Sequence, residues 1–182
     1  MQPDDNQLAK RLWRHRGQAR PPFAIEPREN QESVWDYPRP PILAQDSRLV
    51  EVRTGRHLIA STKHAVRVLE TASPPTFYLP REDVHMEYLS PATGGSFCEW
   101  KGQASYFDAI SEKGDIVHAA WSYERPCAAF AEIAGHIGFY PDRTDCYVDG
   151  ERVRSQAGGF YGGWITNEIV GPFKGEPGTG GW

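Results

Sequence analysis

The chain has 182 residues, 39% hydrophobic and 12% aromatic, which suits one folded domain with its own core rather than several. Its 20 Lys and Arg against 24 Asp and Glu give a net charge of −4, which excludes a basic nucleic-acid footprint spread over the whole chain. No apolar run approaches the ~18 residues of a membrane helix, and the stretch from Met1 to Asn6 has no apolar signal-peptide core, so a cytoplasmic protein without membrane partners is expected.

Residues 1–41 read as an N-terminal arm. Leu8 and Leu12, four apart, allow a short helix over 7–14, which Gly17, Pro21 and Pro22 end. Pro38, Pro40 and Pro41 make the next segment extended. Val34, Trp35 and Tyr37 are too apolar for a loose tail and are expected to cover part of the domain surface.

Residues 42–155 read as the domain. From Arg48 the apolar period becomes two, and 49–53 with 57–61 form a hairpin around Gly55. A third strand covers 65–70. Its Val66, Val68 and Glu70 share one face, so Glu70 ends an apolar row and is either ion-paired or part of a site. Ser73, Pro74, Pro75 and Thr76 are expected to break the sheet before a short strand at 77–79. The stretch 84–89 fits helix or strand, and 91–95 reads as a loop.

Cys98, Glu99, Trp100, Lys101 and Gly102 then lead into an aromatic strand. Gly102 interrupts its alternation, as at a bulge or a close backbone approach. After a turn at 111–115, Val117, Ala119, Trp121 and Tyr123 share a strand face. Trp121 and Tyr123 are then roughly 7 Å apart from the rise per residue. Pro126 and Gly135 bracket a two-turn helix carrying Phe130 and Ile133. Strands at 137–140 and 145–148 follow, and Asp149 with Gly150 signals a hairpin. Residues 156–182 are a Gly- and aromatic-rich C-terminal arm. The predicted class is mainly β: a single antiparallel domain with one short helix and two irregular arms.

Metal chemistry finds no ligand set. Cys98, Cys127 and Cys146 form no Cys-x-x-Cys pair, and the six histidines have no His-x-x-x-His spacing, so no metal or cofactor is predicted. The basic run Arg11, Arg14, Arg16 and Arg20 is flanked by Asp4, Asp5 and Glu26 and reads as a solvated face rather than an RNA contact.

Several segments together resemble the family called domain of unknown function 427. They are 68–84, Cys98 to Gly102 with Tyr106, Ala120 to Tyr123 with Pro126, and Ile133 to Gly135 with Phe139 to Pro141. The resemblance covers roughly 49–147. The arms resemble those of its longer bacterial members through 32–41 and 171–175. It implies a fold similar to the β-tent, shared with methionine sulfoxide reductase B and the imide-binding domain of cereblon. Those relatives usually hold zinc with two Cys-x-x-Cys pairs, which this sequence lacks. Some catalogues attach a nucleotidyltransferase label to the family. No Gly-Ser with a spaced Asp-x-Asp pair and no phosphate-cradling Gly loop supports it here.

The leading expectation is a small-molecule pocket on the sheet, walled by Tyr78, Tyr106, Trp121 and Tyr123, with Arg53, Glu70 and Lys101 as polar groups. Its ligand would be planar or polar. Plain core packing of Trp121 and Tyr123 is the competing reading. Two enzymatic readings stand beside it: Cys98 as a nucleophile activated by Lys101, with His118 the nearest base, and acid–base work by Glu70 with Lys101. In the first, strict alternation would point Cys98 and Lys101 apart unless a turn or bulge intervenes. A further reading is an interaction module whose arms join protomers. The sequence decides neither whether the protein is an enzyme nor its oligomeric state.

Overall fold

The computed structural model describes residues 13–182. Most of the helix expected over 7–14 lies outside the described residues. Among the described residues, fifteen strands and three short 3-10 helices make up the regular structure. In the N-terminal arm lies β1 (Glu32–Ser33). The domain opens with β2 (Ile42–Asp46), the hairpin β3 (Val50–Thr54) and β4 (His57–Thr62), then β5 (Ala65–Glu70) and β6 (Ser73–Leu79). It continues with β7 (Leu89–Cys98), β8 (Gly102–Ala109), β9 (Ile116–Ser122), β10 (Ile137–Phe139), β11 (Asp145–Val148) and β12 (Glu151–Arg152). The chain ends with β13 (Arg154–Ser155), β14 (Trp164–Ile165) and β15 (Ile169–Val170).

Two sheets carry the domain. One has seven strands in the order β2-β5-β6-β10-β9-β8-β7, the other four in the order β12-β11-β3-β4. All pairings within them are antiparallel. The mainly β antiparallel class expected from the alternation is therefore the observed one. Val50, Val52, Cys146 and Val148 of the smaller sheet meet Phe77, Leu79, Phe107, Ile137 and Phe139 of the larger one in a buried core. Alternation sends Tyr78, between Phe77 and Leu79, to the opposite face of the large sheet. There it joins a second cluster with Val66, Val68, Trp121 and Tyr123. One strand thus supplies both the core and the aromatic wall.

The structure corrects three local expectations. Pro74 and Pro75 do not break the sheet but lie inside β6. They fall where the register with β5 shifts, and on the other side β10 pairs only with Tyr78 and Leu79. A missing N–H is tolerated at such an irregular stretch. Likewise 91–95 is part of β7, the edge strand of the large sheet. Its register against β8 jumps from Pro91–Phe107 to Gly95–Ser105, and Gly94 sits at φ +90° within that bulge. The helix after Pro126 is a 3-10 helix, Ala128–Ile133, with a break at Phe130. Phe130 and Ile133 are nonetheless buried in one cluster, on the face that the apolar spacing predicts.

A bulge at His118, at φ +50°, resets the alternation of β9. Val117 consequently faces solvent at 63% exposure, although Trp121 and Tyr123 are buried as expected.

Both arms pack on the domain. β1 pairs in parallel with β15, joining the two arms. Val34, Trp35 and Tyr37 are buried with Ile169, against Phe173 and Trp182. The indole of Trp35 donates to the Pro172 carbonyl at 3.1 Å. Among the described residues no helix is long and apolar enough to cross a membrane.

Candidate ligand site

On the face of the large sheet turned away from the inter-sheet core lies a cavity of about 270 Å³. Its floor comes from the sheet: Val68 and Glu70 of β5, Tyr78 of β6 and Trp121 of β9, with Tyr123 just beyond. Its remaining walls come from the link between β7 and β8, with Cys98 and Lys101, and from the arms, which contribute Trp13, Gln156, Tyr161 and Lys174. Phe97 and Phe160 also line it while being 47% and 61% exposed, so they mark its mouth.

The cavity gathers five of the seven expected site residues: Glu70, Tyr78, Lys101, Trp121 and Tyr123. Tyr106 lies just outside it. Its hydroxyl bonds Tyr140, which does line the cavity, and its ring stacks on His118 at 4.6 Å. Arg53 is in the other sheet, ion-paired with Glu51 at 3.0 Å. His118, the base considered for Cys98, is not part of the lining.

The tight link between β7 and β8 explains how Cys98 and Lys101 come together. Cys98 pairs with Gly102, and residues 99–101 form the turn between them. Gly102 sits at φ +99°, a backbone conformation that disfavours any side chain. The reversal cancels the alternation that would have pointed the two side chains apart, and both reach the cavity. A hydrogen bond links them.

Trp121 is positioned by two glycines. A methyl group on Gly138 would lie 2.6 Å from its ring, and one on Gly162 would lie 2.2 Å from it. Gly138 pairs directly with Trp121 across β9 and β10, whereas Gly162 comes from the C-terminal arm. The indole donates to the Tyr78 hydroxyl at 3.2 Å, and the two rings meet edge to face. Tyr123 also hydrogen-bonds that hydroxyl. Burial raises the pKa of Tyr78, and Lys101 with these two hydrogen bonds only partly opposes it, so the phenol stays protonated.

Charge in the cavity is unevenly held. Glu70 is ion-paired with Arg39 at 3.0 Å, and the Arg39 side chain is 1% exposed. Of the alternatives expected for Glu70, the ion pair is present, and the carboxylate also borders the cavity. Burial works against the charge of Lys101, but Tyr78, Cys98 and Glu70 outweigh it and raise its pKa above the ordinary lysine value. Lys174 differs. Its amine sits 3.5 Å over the Trp13 ring centroid and 5.7 Å from that of Tyr161. Among the described residues no carboxylate is within ion-pair distance of it. Burial, only partly offset by the charge of Glu70, lowers its pKa to about 8.

This has a measurable consequence. A lysine whose pKa falls on folding costs stability while both states are protonated, and the cost fades as pH rises from about 8 to the ordinary value. Wild type is expected to gain about 2 kcal/mol from this group between pH 7 and 9.5. Chemical denaturation at both pH values checks this: Lys174→Met should lack most of that gain, and equal slopes for the two proteins would refute it.

Lys174, Trp13, Tyr140, Tyr161 and Gln156 escaped sequence reasoning. Each is brought in by long-range packing of the arms or by the step beyond β10, and no local periodicity marks it. The glycines around Phe160, Tyr161 and Trp164 were the one hint that this arm packs tightly. Among the described residues no group of three His, Cys, Asp or Glu side chains is placed to hold a metal ion.

The sequence model of a family described as "Domain of unknown function (DUF427)" matches residues 42–150. No curated protein matches the chain.

Proposed function

The chain belongs to the domain of unknown function 427 family, and we propose that this member binds a small planar, polar metabolite in the cavity between its large sheet and its arms, as a cytoplasmic protein. One observation carries the reading. Tyr78, Trp121 and Tyr123 form an aromatic wall in the same cavity as two lysines and an ion-paired glutamate. Aromatic faces with a few aimed polar groups suit a flat ligand with polar edges. The cationic groups Lys101 and Lys174 suit an electron-rich edge of that ligand. Plain core packing would leave no such space, and the buried Lys174 amine would be hard to justify.

The test is a thermal-shift screen of the full chain against a metabolite library, repeated with Trp121→Ala. At least one planar metabolite is expected to raise the wild-type melting temperature. Its affinity for Trp121→Ala should fall about tenfold, or roughly 1.4 kcal/mol, for loss of one stacking face. A library that stabilises neither protein, or both equally, defeats the proposal.

A further inference from the structure

Two lysines share this cavity and are held in opposite ways. Lys101 has a hydrogen bond to Cys98 and the nearby charge of Glu70 to favour its ammonium form. Lys174 is 5% exposed, is faced by the aromatic rings of Trp13 and Tyr161, and has no ion-pair partner among the described residues. Its backbone is fixed by the N–H to the Ala72 carbonyl at 2.8 Å and by its carbonyl accepting from Gln156 at 2.7 Å. A buried amine on a fixed backbone, open to a cavity and lacking an anion, is suited to act as a nucleophile once deprotonated.

We propose that Lys174 is a carbonyl-reactive amine that captures an aldehyde or ketone group of the ligand as a reversible imine. The proposal rests on the reading of the cavity as a metabolite site. In the step, the lone pair of the neutral Lys174 nitrogen forms a bond to the carbonyl carbon. The carbonyl π electrons move to oxygen, which takes up the proton that the now cationic nitrogen releases, giving a neutral carbinolamine. The hydroxyl takes up a second proton and leaves as water as the nitrogen lone pair forms the C=N bond, and the nitrogen gives up its remaining proton, so that two protons pass from nitrogen to water overall. One C=O bond is exchanged for one C=N bond with no change of oxidation state, and hydrolysis reverses it. When the imine is protonated it carries a positive charge, which Glu70 in the same cavity favours. The depressed pKa of the Lys174 amine supplies far more neutral nucleophile at neutral pH than an ordinary lysine has.

The chain contains only five lysines, at positions 10, 63, 101, 113 and 174, so selectivity is readily mapped. The full-length protein is incubated at pH 7.5 with salicylaldehyde and sodium cyanoborohydride, which reduces imines to stable amines. Adducts are then located by peptide mass spectrometry. Lys174 is expected to be labelled at least tenfold faster than the exposed Lys63 and Lys113, and Lys101 in the same cavity is expected to stay unlabelled. Lys174→Arg, which keeps the charge but forms no such imine, should lose the dominant adduct. If that variant does not fold, the contrast between Lys174 and Lys101 within wild type still decides. Labelling of Lys174 no faster than of Lys63 overturns the imine. Tryptophan fluorescence with 2-hydroxybenzyl alcohol, which has the same ring without the carbonyl, separates the two ideas. Quenching by the alcohol without aldehyde trapping removes the imine and leaves the cavity reading standing. No quenching and no trapping count against both.

Discussion

Trp164→Ala is expected to lower the melting temperature by roughly 6–20 °C, from a loss of about 3–5 kcal/mol in a domain of this size. Although Trp164 belongs to the C-terminal arm, it is fully buried in the core between the two sheets. Its ring stacks on Phe77 at 4.7 Å, and its indole N–H donates to the Phe139 carbonyl at 3.0 Å. Alanine would leave a cavity the size of an indole, which close-packed neighbours fill only in part, and a carbonyl without its donor. The effect would reach the candidate site. Trp164 lies two residues beyond Gly162, which backs Trp121. Loosening this anchor is therefore expected to weaken ligand binding together with stability. Differential scanning calorimetry checks the first part. A shift under 3 °C would mean that the arm is not part of the folded core.

The second large effect is expected at Arg39, another arm residue. Its guanidinium bonds Glu70 at 3.0 Å, the Thr71 carbonyl at 2.7 Å and the His15 carbonyl at 2.9 Å, and lies 4.5 Å from the centroid of the Trp13 ring. Burial lowers its pKa and the charge of Glu70 opposes that shift, so the guanidinium depends on its partner. Arg39→Met removes three hydrogen bonds and strands the Glu70 carboxylate beside the cavity. The expected cost is about 2–4 kcal/mol, below the full penalty for a deeply buried pair because the Glu70 side chain is 20% exposed. Adding Glu70→Gln should recover about 1 kcal/mol or more, since the stranded charge is then gone. Urea titrations of the wild type, both single variants and the double variant give the coupling. Strictly additive losses would show that the ion pair does not matter.

These two residues also show where sequence reading succeeds and where it stops. Strand alternation located β3, β4, β5, β9 and β11 to within a residue or two, because one face of each is buried and the period of two is written in Val, Ile and aromatic positions. It also placed Trp121, Tyr123 and Glu70 on faces that do converge. It failed where backbone irregularity sets direction. The tight turn at 99–101 and the bulge at His118 each reverse the side-chain sense predicted by counting. Pro74, Pro75 and Pro91 misled because proline excludes only regular, doubly paired strand positions, and each lies at an irregular or edge stretch. Arg53 illustrates a different limit: local pattern says that a residue is on a strand, not which of two sheets that strand joins. The arms illustrate the same point. Trp35 and Trp164 were recognisable as residues that must pack, but their partners lie 137 and 25 positions away in the chain.

In the proposed function, the sheet and the arms together enclose a ligand site. The most direct measurement is a crystal structure of the full chain soaked with the metabolite that gives the largest thermal shift. Ligand density is expected against Trp121, Tyr123 and Tyr78 on one side and Lys174 of the C-terminal arm on the other. A ligand bound elsewhere, with this space filled by the protein's own side chains, would contradict it.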